Sequence, residues 1–320
     1  MRVLITGASG LLGVNLALEA AKVHTVYGQI KALPLKGAPF TQLSGDLMED
    51  GAVERMMETA QPEWVIHCAA LADVDACEEQ PELAEQLNTR LPGRIAQACK
   101  GKAGLVHIST DAVFDGIKPN CTEEDIPNPL GVYARSKLEG ERVVLKNNPD
   151  AAVARINIFG WSLYGKRSLA EWFFYNLQAG LPVKGFTDVY FRTQLASDLA
   201  DMLLNMLEQK LSGLYHVVGA DCVSKYDFAL EIARRLGAPE SLVSPMKVQE
   251  FGLKAARSNN LCLDTGKLQR VLHRPVNQLS TGLDRFFKQY AQGYPHLLRS
   301  MVDNSPKNLN PYMHGGNDGN

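Results

Sequence analysis

The 320-residue chain has no apolar run approaching the roughly 18 residues that a membrane span needs, so a membrane protein is not expected. It has no excess of one charge. Against 35 Asp and Glu stand 33 Lys and Arg, for a formal net charge of −2, which removes any general electrostatic reason to expect nucleic acid. It has no C-x-x-C, no Cys/His group at zinc spacing, no H-E-x-x-H and no G-x-S-x-G. Structural zinc, zinc-protease and α/β-hydrolase readings therefore have no starting point. The six cysteines, at positions 68, 77, 99, 121, 222 and 262, are read as free thiols in a reducing compartment. The N-terminus shows no signal-peptide pattern and enters a strand-like run at once, so a cytoplasmic protein is expected.

What is present is an alternation. The runs "RVLIT" (2–6), "HTVYGQI" (24–30), "EWVIHCAA" (63–70), "GLVHIST" (104–110) and "AAVARINIFG" (151–160) read as strands. Between them, 11–23, 49–60, 81–99 and 133–147 read as helices, the third kinked at Pro92. Continuous apolar strands separated by helices predict an α/β fold, a doubly wound parallel Rossmann-type sheet with helices on both faces. Residues 1–160 are the expected NAD(P)-binding domain, with later segments returning to it. Residues 161–302 are the expected smaller C-terminal substrate-binding lobe, with helices over 168–179, 197–209, 224–236 and 279–291 and strands near 182–186 and 214–218. The polar tail 303–320 is expected to be disordered.

"TGASGLLG" sets Gly7, Gly10 and Gly13 between the first strand and the first helix. Glycine permits a tight turn and close approach of a pyrophosphate to free N–H groups at a helix N-terminus. At the end of the second strand an acidic residue would select NAD through the ribose 2′-OH, but Gln29 stands there. Lys31 and Lys36 follow, and either can meet a 2′-phosphate. NADP(H) is the favoured cofactor, with NAD(H) the alternative.

"YARSK" puts Tyr133 and Lys137 four residues apart, on one helix face. A phenol near pKa 10 is a poor proton shuttle, and an ammonium beside it is expected to lower that value. Alone the pair is a common chance match. With "HISTDAVFDG" (107–116) upstream, Thr110 sits at the end of a strand where a hydroxyl can donate to a carbonyl oxygen.

Together, "TGASGLLG", "GDL" (45–47), "HCAALADVDACE" (67–78), "STDAVFDG" and "EEDIPNPLGVYARSKLEGE" resemble the extended short-chain dehydrogenase/reductases. More narrowly they resemble the dTDP-4-dehydrorhamnose reductase branch, which also contains the regulatory β subunit of methionine adenosyltransferase. The likeness runs from residue 1 to about 290. It implies Tyr133 as general acid, Lys137 as the ribose-holding and tyrosine-tuning cation, and Thr110 as the carbonyl-polarising hydroxyl. It implies a cofactor site of Gly7, Ser9, Gly10, Leu11, Leu12 and Gly13, with Gln29, Lys31, Asp46 and Leu47 toward the adenosine. Ala69, Ala70 and Lys137 complete that site. Asn88 matches an asparagine that supports the lysine through water, with a plain helix-surface residue as the alternative. Asp111, Ala112 and Arg192 are the implied substrate contacts, Arg192 facing a nucleotide pyrophosphate, with a surface salt bridge as the alternative for Arg192. Arg257 is a second phosphate candidate, while Trp161 and Trp172 are read as core. Asp198 and Ser224 are read as serving helix N-termini.

Ala112 departs from the aromatic residue the branch commonly carries, and the glutamate a 4,6-dehydratase needs there is missing. "RINIFGWSLYGK" (155–166) also departs from the branch pattern. The implied activity is NAD(P)H-dependent reduction of a keto group on a nucleotide sugar, the 4-keto group of a 6-deoxy sugar above others. A non-catalytic regulatory subunit and an epimerase are the alternatives. The expected partners are the nucleotide sugar and a second copy in a homodimer, with no nucleic acid, membrane or metal.

Overall fold

The computed structural model describes residues 1–31, 34–165, 168–251 and 258–302. The first half runs β1 (Arg2–Thr6), α1 (Leu11–Ala20), β2 (Thr25–Ile30), β3 (Thr41–Ser44), α2 (Ala52–Ala60), β4 (Trp64–His67), α3 (Val74–Glu79), α4 (Pro81–Glu85), α5 (Leu91–Cys99), β5 (Gly104–Thr110), α6 (Val132–Asn147) and β6 (Ala152–Ile156). The second half runs β7 (Ile158–Phe159), α7 (Leu169–Gln178), β8 (Val183–Phe186), β9 (Tyr190–Phe191), β10 (Gln194–Leu195), α8 (Ala196–Glu208), β11 (Gly213–Val217), β12 (Val223–Ser224), α9 (Lys225–Leu236), β13 (Val243–Met246) and β14 (Asn260–Leu261). Further helices cover Gly266–Leu272, Leu279–Ala291 and Tyr294–Ser300.

Seven strands form one parallel sheet in the order β11-β6-β5-β4-β1-β2-β3. Successive residues of a strand serve opposite faces. In β1, Val3 and Ile5 pack with α1 and α8, while Leu4 packs with α2, α5 and α6. All three are fully buried, which is why the run reads as continuously apolar rather than alternating. The strand order reverses at β1 and β4, so a crevice opens at their carboxyl ends, where Gly7 and Ala69 meet. β11 is the edge strand beside β6, so the chain from Ala196 to Val217 returns to this sheet.

Three expectations are corrected. The helix over 81–99 is right-handed throughout, but its regular bonding widens into a five-residue π-turn, Gln86–Arg90, between α4 and α5, just ahead of Pro92 rather than at it. The proline ring crowds the carbonyl four residues back, Asn88, and lacks the N–H that would bond it. The run 151–160 divides at Asn157: β6 stays in the large sheet, and β7 leaves to pair with β10. Not all cysteines are free, because Cys222 and Cys262 form a disulfide with a Cα separation of 5.6 Å. They lie 40 residues apart, so no local spacing could announce the pair. Cys68, Cys77, Cys99 and Cys121 are free. Arg257 and the tail 303–320 lie outside the described residues.

A buried ion pair ties α6 to the sheet. Arg155 of β6 donates to Glu141 at 2.9 and 2.7 Å, and the Ser109 hydroxyl donates to the same carboxylate at 2.5 Å. Removing the Glu141 charge leaves the Arg155 guanidinium buried without its counter-ion. Glu141→Gln is therefore expected to cost about 3–5 kcal/mol in urea unfolding. Glu139→Gln, which breaks an exposed pair with Arg142, is expected to cost less than about 1 kcal/mol. Equal losses in the two variants would contradict the assignment.

Candidate active site

The glycine loop is built as the spacing demands. Gly7 has φ +65, and a Cβ there would stand 2.8 Å from the Ala69 Cα. Gly10 caps α1 in extended backbone with no side-chain cap bond, so the first-turn N–H groups of α1 are not taken up by a cap. A Cβ on Gly13 would lie 2.1 Å from the Gly7 carbonyl oxygen, so helix and loop touch through backbone alone. Uncapped donors at a helix N-terminus beside a bare backbone fit a dinucleotide pyrophosphate. Ser9 and Leu11 are partly buried and Leu12 is buried. Ala69 and Ala70, both partly buried, follow β4, held where the Thr6 hydroxyl accepts from the Cys68 and Ala69 N–H groups.

Gln29 is not offered to a ribose. It is 4% exposed, accepts from the Gly7 N–H at 3.0 Å and donates to the Gly45 carbonyl at 2.8 Å. Its amide braces the glycine loop instead, and both of its functional ends are used. Lys31 and Asp46 do come together, in an ion pair of 2.8 Å. Burial would raise the Asp46 carboxyl, but Lys31 and the Met48 N–H hold it below its ordinary range. Leu47 beside them is buried, its carbonyl accepting from Arg94.

At the carboxyl end of β5, Thr110 and Tyr133 meet: the threonine hydroxyl is in hydrogen-bonding reach of the phenol. The Thr110 Oγ1 also accepts from the Ala112 N–H and donates to Asp111 Oδ1, each at 3.2 Å. Lys137 is one helical turn on, 3% exposed, its Nζ donating to the Ile108 carbonyl at 2.6 Å. The expected lowering of the tyrosine does not occur. Burial pushes the Tyr133 phenol up to about 12, with the Thr110 hydroxyl opposing. Burial also brings the Lys137 ammonium down to about 8, against the Glu141 charge. Asp111 is buried and its carboxyl rises to about 6, tempered by hydrogen bonds from Asn157 and Thr110.

Asn88 is no helix-surface residue. It is fully buried and holds Leu71 from both sides, accepting its N–H at 2.9 Å and donating to its carbonyl at 3.0 Å. Its amide also donates to Ser136, and α6 crosses so close that a Cβ on Gly140 would stand 2.1 Å from the Asn88 carbonyl oxygen.

Tyr133 and Ala112 line a cleft of about 810 Å³ of empty space, open to solvent, with Asn157, Lys225, Phe186 and Leu261 among its walls. Its apolar lining with a few polar groups suits a small organic ligand. Arg192 is not on that wall. It donates to the Asn120 side chain at 3.2 Å, and its neighbour Phe191 takes the cleft position. Trp161 is core, stacked on Phe286 at 3.9 Å, whereas Trp172 is at the surface rather than in the core. Asp198 lies in the first turn of α8 but is taken by Arg285, and Ser224 caps α9.

Sequence reasoning missed Lys225, the cation on the cleft wall. The signal was available, since Ser224 reads as a cap and the residue after a cap opens the helix. It also missed a pair of buried histidines, His67 and His107. Their rings stack at 5.3 Å, and burial first, then Lys137, keeps both neutral. His67 Nδ1 pairs with the Thr6 hydroxyl at 2.6 Å.

Residues 1–292 match the family described as the RmlD substrate binding domain. The chain is 36% identical over 292 residues to methionine adenosyltransferase 2 subunit beta of Mus musculus, covering 84% of this chain and 82% of that one. It is 33% identical over 283 residues to the probable low-salt glycan biosynthesis reductase Agl14 of Haloferax volcanii, covering 85% and 92%. The crystal structure of dTDP-4-dehydrorhamnose reductase from Bacillus anthracis in complex with NADP superposes with a TM-score of 0.77 at 26% identity, covering 90% of this chain and 99% of that one.

Proposed function

The chain belongs to the RmlD substrate binding domain family, and on that premise we propose that it is an NAD(P)H-dependent reductase of a keto group on a nucleotide sugar. The observation that carries this reading is Tyr133 on the cleft wall with the buried Thr110 hydroxyl within its reach and Lys137 a turn behind. The named reductases among the similar proteins support it, and the dTDP-4-dehydrorhamnose reductase among them favours the 4-keto group of a dTDP-linked 6-deoxy sugar. The dinucleotide supplies the hydride when bound. Gly7, Gly10, Gly13 and the first turn of α1 hold its pyrophosphate, and Lys137 its nicotinamide ribose.

With its pKa near 12, the Tyr133 phenol is protonated at neutral pH. That is the state an acid must rest in. The raised pKa makes the phenol a weaker acid, but an alkoxide is a stronger base still, so Tyr133 delivers its proton from Oη as the carbonyl oxygen becomes an alkoxide. Thr110 Oγ1 turns from Asp111 to donate to the same oxygen, stabilising the charge that develops there. The test is loss of NADPH absorbance on adding dTDP-4-keto-6-deoxyglucose. A flat trace against this and related 4-keto nucleotide sugars would contradict the reading.

NADP(H) is the preferred cofactor in this account, through Lys31. An ammonium has three donors, so Lys31 can keep Asp46 and also meet a 2′-phosphate. Lys31→Gln is expected to weaken NADPH about tenfold, the loss of one exposed charge-assisted hydrogen bond, with NADH little changed. Equal effects on both in a fluorescence titration would contradict this.

A second reading follows from the likeness to the β subunit: a dinucleotide-binding subunit that holds a second polypeptide. It predicts a stable complex with a methionine adenosyltransferase catalytic chain in a pull-down, without nucleotide-sugar turnover.

A further inference from the structure

The cleft is closed on one side by a very small sheet. β9 is its central strand, with β12 antiparallel on one flank and β14 parallel on the other. Each strand has two residues, so few ladder bonds hold the flanks. Phe191 of β9, Leu261 of β14, and Lys225, which follows β12, all face the cleft. Val223 and Leu261 both pair with Phe191, so Cys222 and Cys262 lie one step beyond, at the level of Arg192 on either side. Strands flanking a central one stand about 9–10 Å apart. The two Cα atoms are 5.6 Å apart, so the flanking chains converge past the end of β9 and are joined there.

We propose that the Cys222–Cys262 disulfide is a thiol–disulfide exchange site, and that its state sets how firmly this wall of the cleft is held. Cys222 is exposed, whereas Cys262 is 2% exposed. A dithiol reductant therefore attacks Cys222 Sγ as a thiolate. The S–S bond breaks, and its electron pair leaves on Cys262 Sγ, which takes a proton. The reductant's second thiolate displaces Cys222 Sγ and closes the reductant's own disulfide. Two electrons and two protons pass from the dithiol to the protein pair.

The chemistry is confined to this pair. Cys77, Cys99 and Cys121 are buried, and burial pushes Cys68, Cys77 and Cys99 up to about 12, 11 and 12, leaving almost no thiolate. Reduction does not release the wall completely. The Ser258 hydroxyl still donates to the Phe114 carbonyl at 2.5 Å, and the Tyr190 N–H to the Asn259 carbonyl at 2.7 Å. The reduced state is a looser wall rather than an open one. Its effect on catalysis rests on the cleft being the substrate site, as proposed above.

The experiment compares hydrogen exchange of the full chain before and after treatment with dithiothreitol, with intact mass and non-reducing peptide mapping on the same samples. The expected result is a Cys222–Cys262 peptide in the untreated protein and a gain of two hydrogens on reduction. Amide exchange should then be about tenfold faster over 190–192, 223–225 and 258–263, with the glycine loop unchanged. Cys222→Ser should show the fast exchange without reductant and no response to it. Absence of the linked peptide, or reduction without faster exchange in these segments, overturns the proposal. None of these readouts needs turnover, so an inactive wild type counts against the proposed function and leaves this test standing. If the enzyme does turn over, KM for the sugar is expected to rise several-fold on reduction while the NADPH Kd is unchanged, and an unchanged KM overturns the coupling to the cleft.

Discussion

Tyr133→Phe is expected to lower turnover at least about a hundredfold while leaving dinucleotide binding intact. The substitution removes one oxygen from a residue that lines the cleft, and the ring's packing stays. What is lost is the proton that quenches the developing alkoxide, together with the phenol's approach to the Thr110 hydroxyl. Because the phenol titrates near 12, it supplies that proton throughout the neutral range. The limb that falls is set instead by Lys137. Its charged form is present below about 8 and lost above it, so kcat/KM is expected to fall as pH rises through that region. Steady-state kinetics of wild type and variant across pH check both points. An unchanged kcat in Tyr133→Phe would remove the tyrosine from the chemistry.

Gly13→Ala is expected to weaken NADPH binding about tenfold or more and to cost about 1–3 kcal/mol of stability. Alanine is the better helix former by about 1 kcal/mol, so on propensity alone the change should stabilise α1. The new Cβ would stand 2.1 Å from the Gly7 carbonyl oxygen and 2.9 Å from the Ala8 Cα, both backbone atoms with no rotamer to adopt. The loop must move, and the pyrophosphate cradle moves with it. Gly37→Ala is the control. Gly37 has φ +65 like Gly7 but nothing within 4 Å, so that variant should show only the left-handed backbone cost of about 1–2 kcal/mol and keep its cofactor. Wild-type NADPH affinity in Gly13→Ala, by titration, would place the pyrophosphate elsewhere.

These two sites were legible because each is written in a few consecutive residues. A strand, three spaced glycines and a helix specify the loop. A tyrosine and lysine four apart on a helix, downstream of a strand ending in Thr110, specify the acid. The parallel sheet was legible for a related reason, since strands buried on both faces must be apolar throughout.

What was not legible depended on which partner a side chain finds far along the chain. Gln29 stands where an adenosine contact is expected, yet its amide is used by Gly7 and Gly45. Arg192 holds its expected place in the sequence, but Asn120 draws it off the cleft while Lys225 lies on the wall. The Tyr133 phenol was expected to fall in pKa because Lys137 is near in sequence. It rises because burial dominates and the nearby Asp111 and Cys77 groups add to it, with only the Thr110 hydroxyl opposing, while the Lys137 ammonium is turned to the Ile108 carbonyl. The disulfide and the Glu141–Arg155 pair join elements whose juxtaposition only the folded sheet creates.

The most direct test of the central claim is transfer of deuterium from nicotinamide-labelled NADPH, both hydride faces supplied separately, to dTDP-4-keto-6-deoxyglucose. The account predicts that one of the two labels appears at C4 of the product sugar, and that neither does in Tyr133→Phe over the same time. Tight NADPH binding with no label in any 4-keto nucleotide sugar offered would contradict the reductase and leave the chain as a dinucleotide-binding subunit.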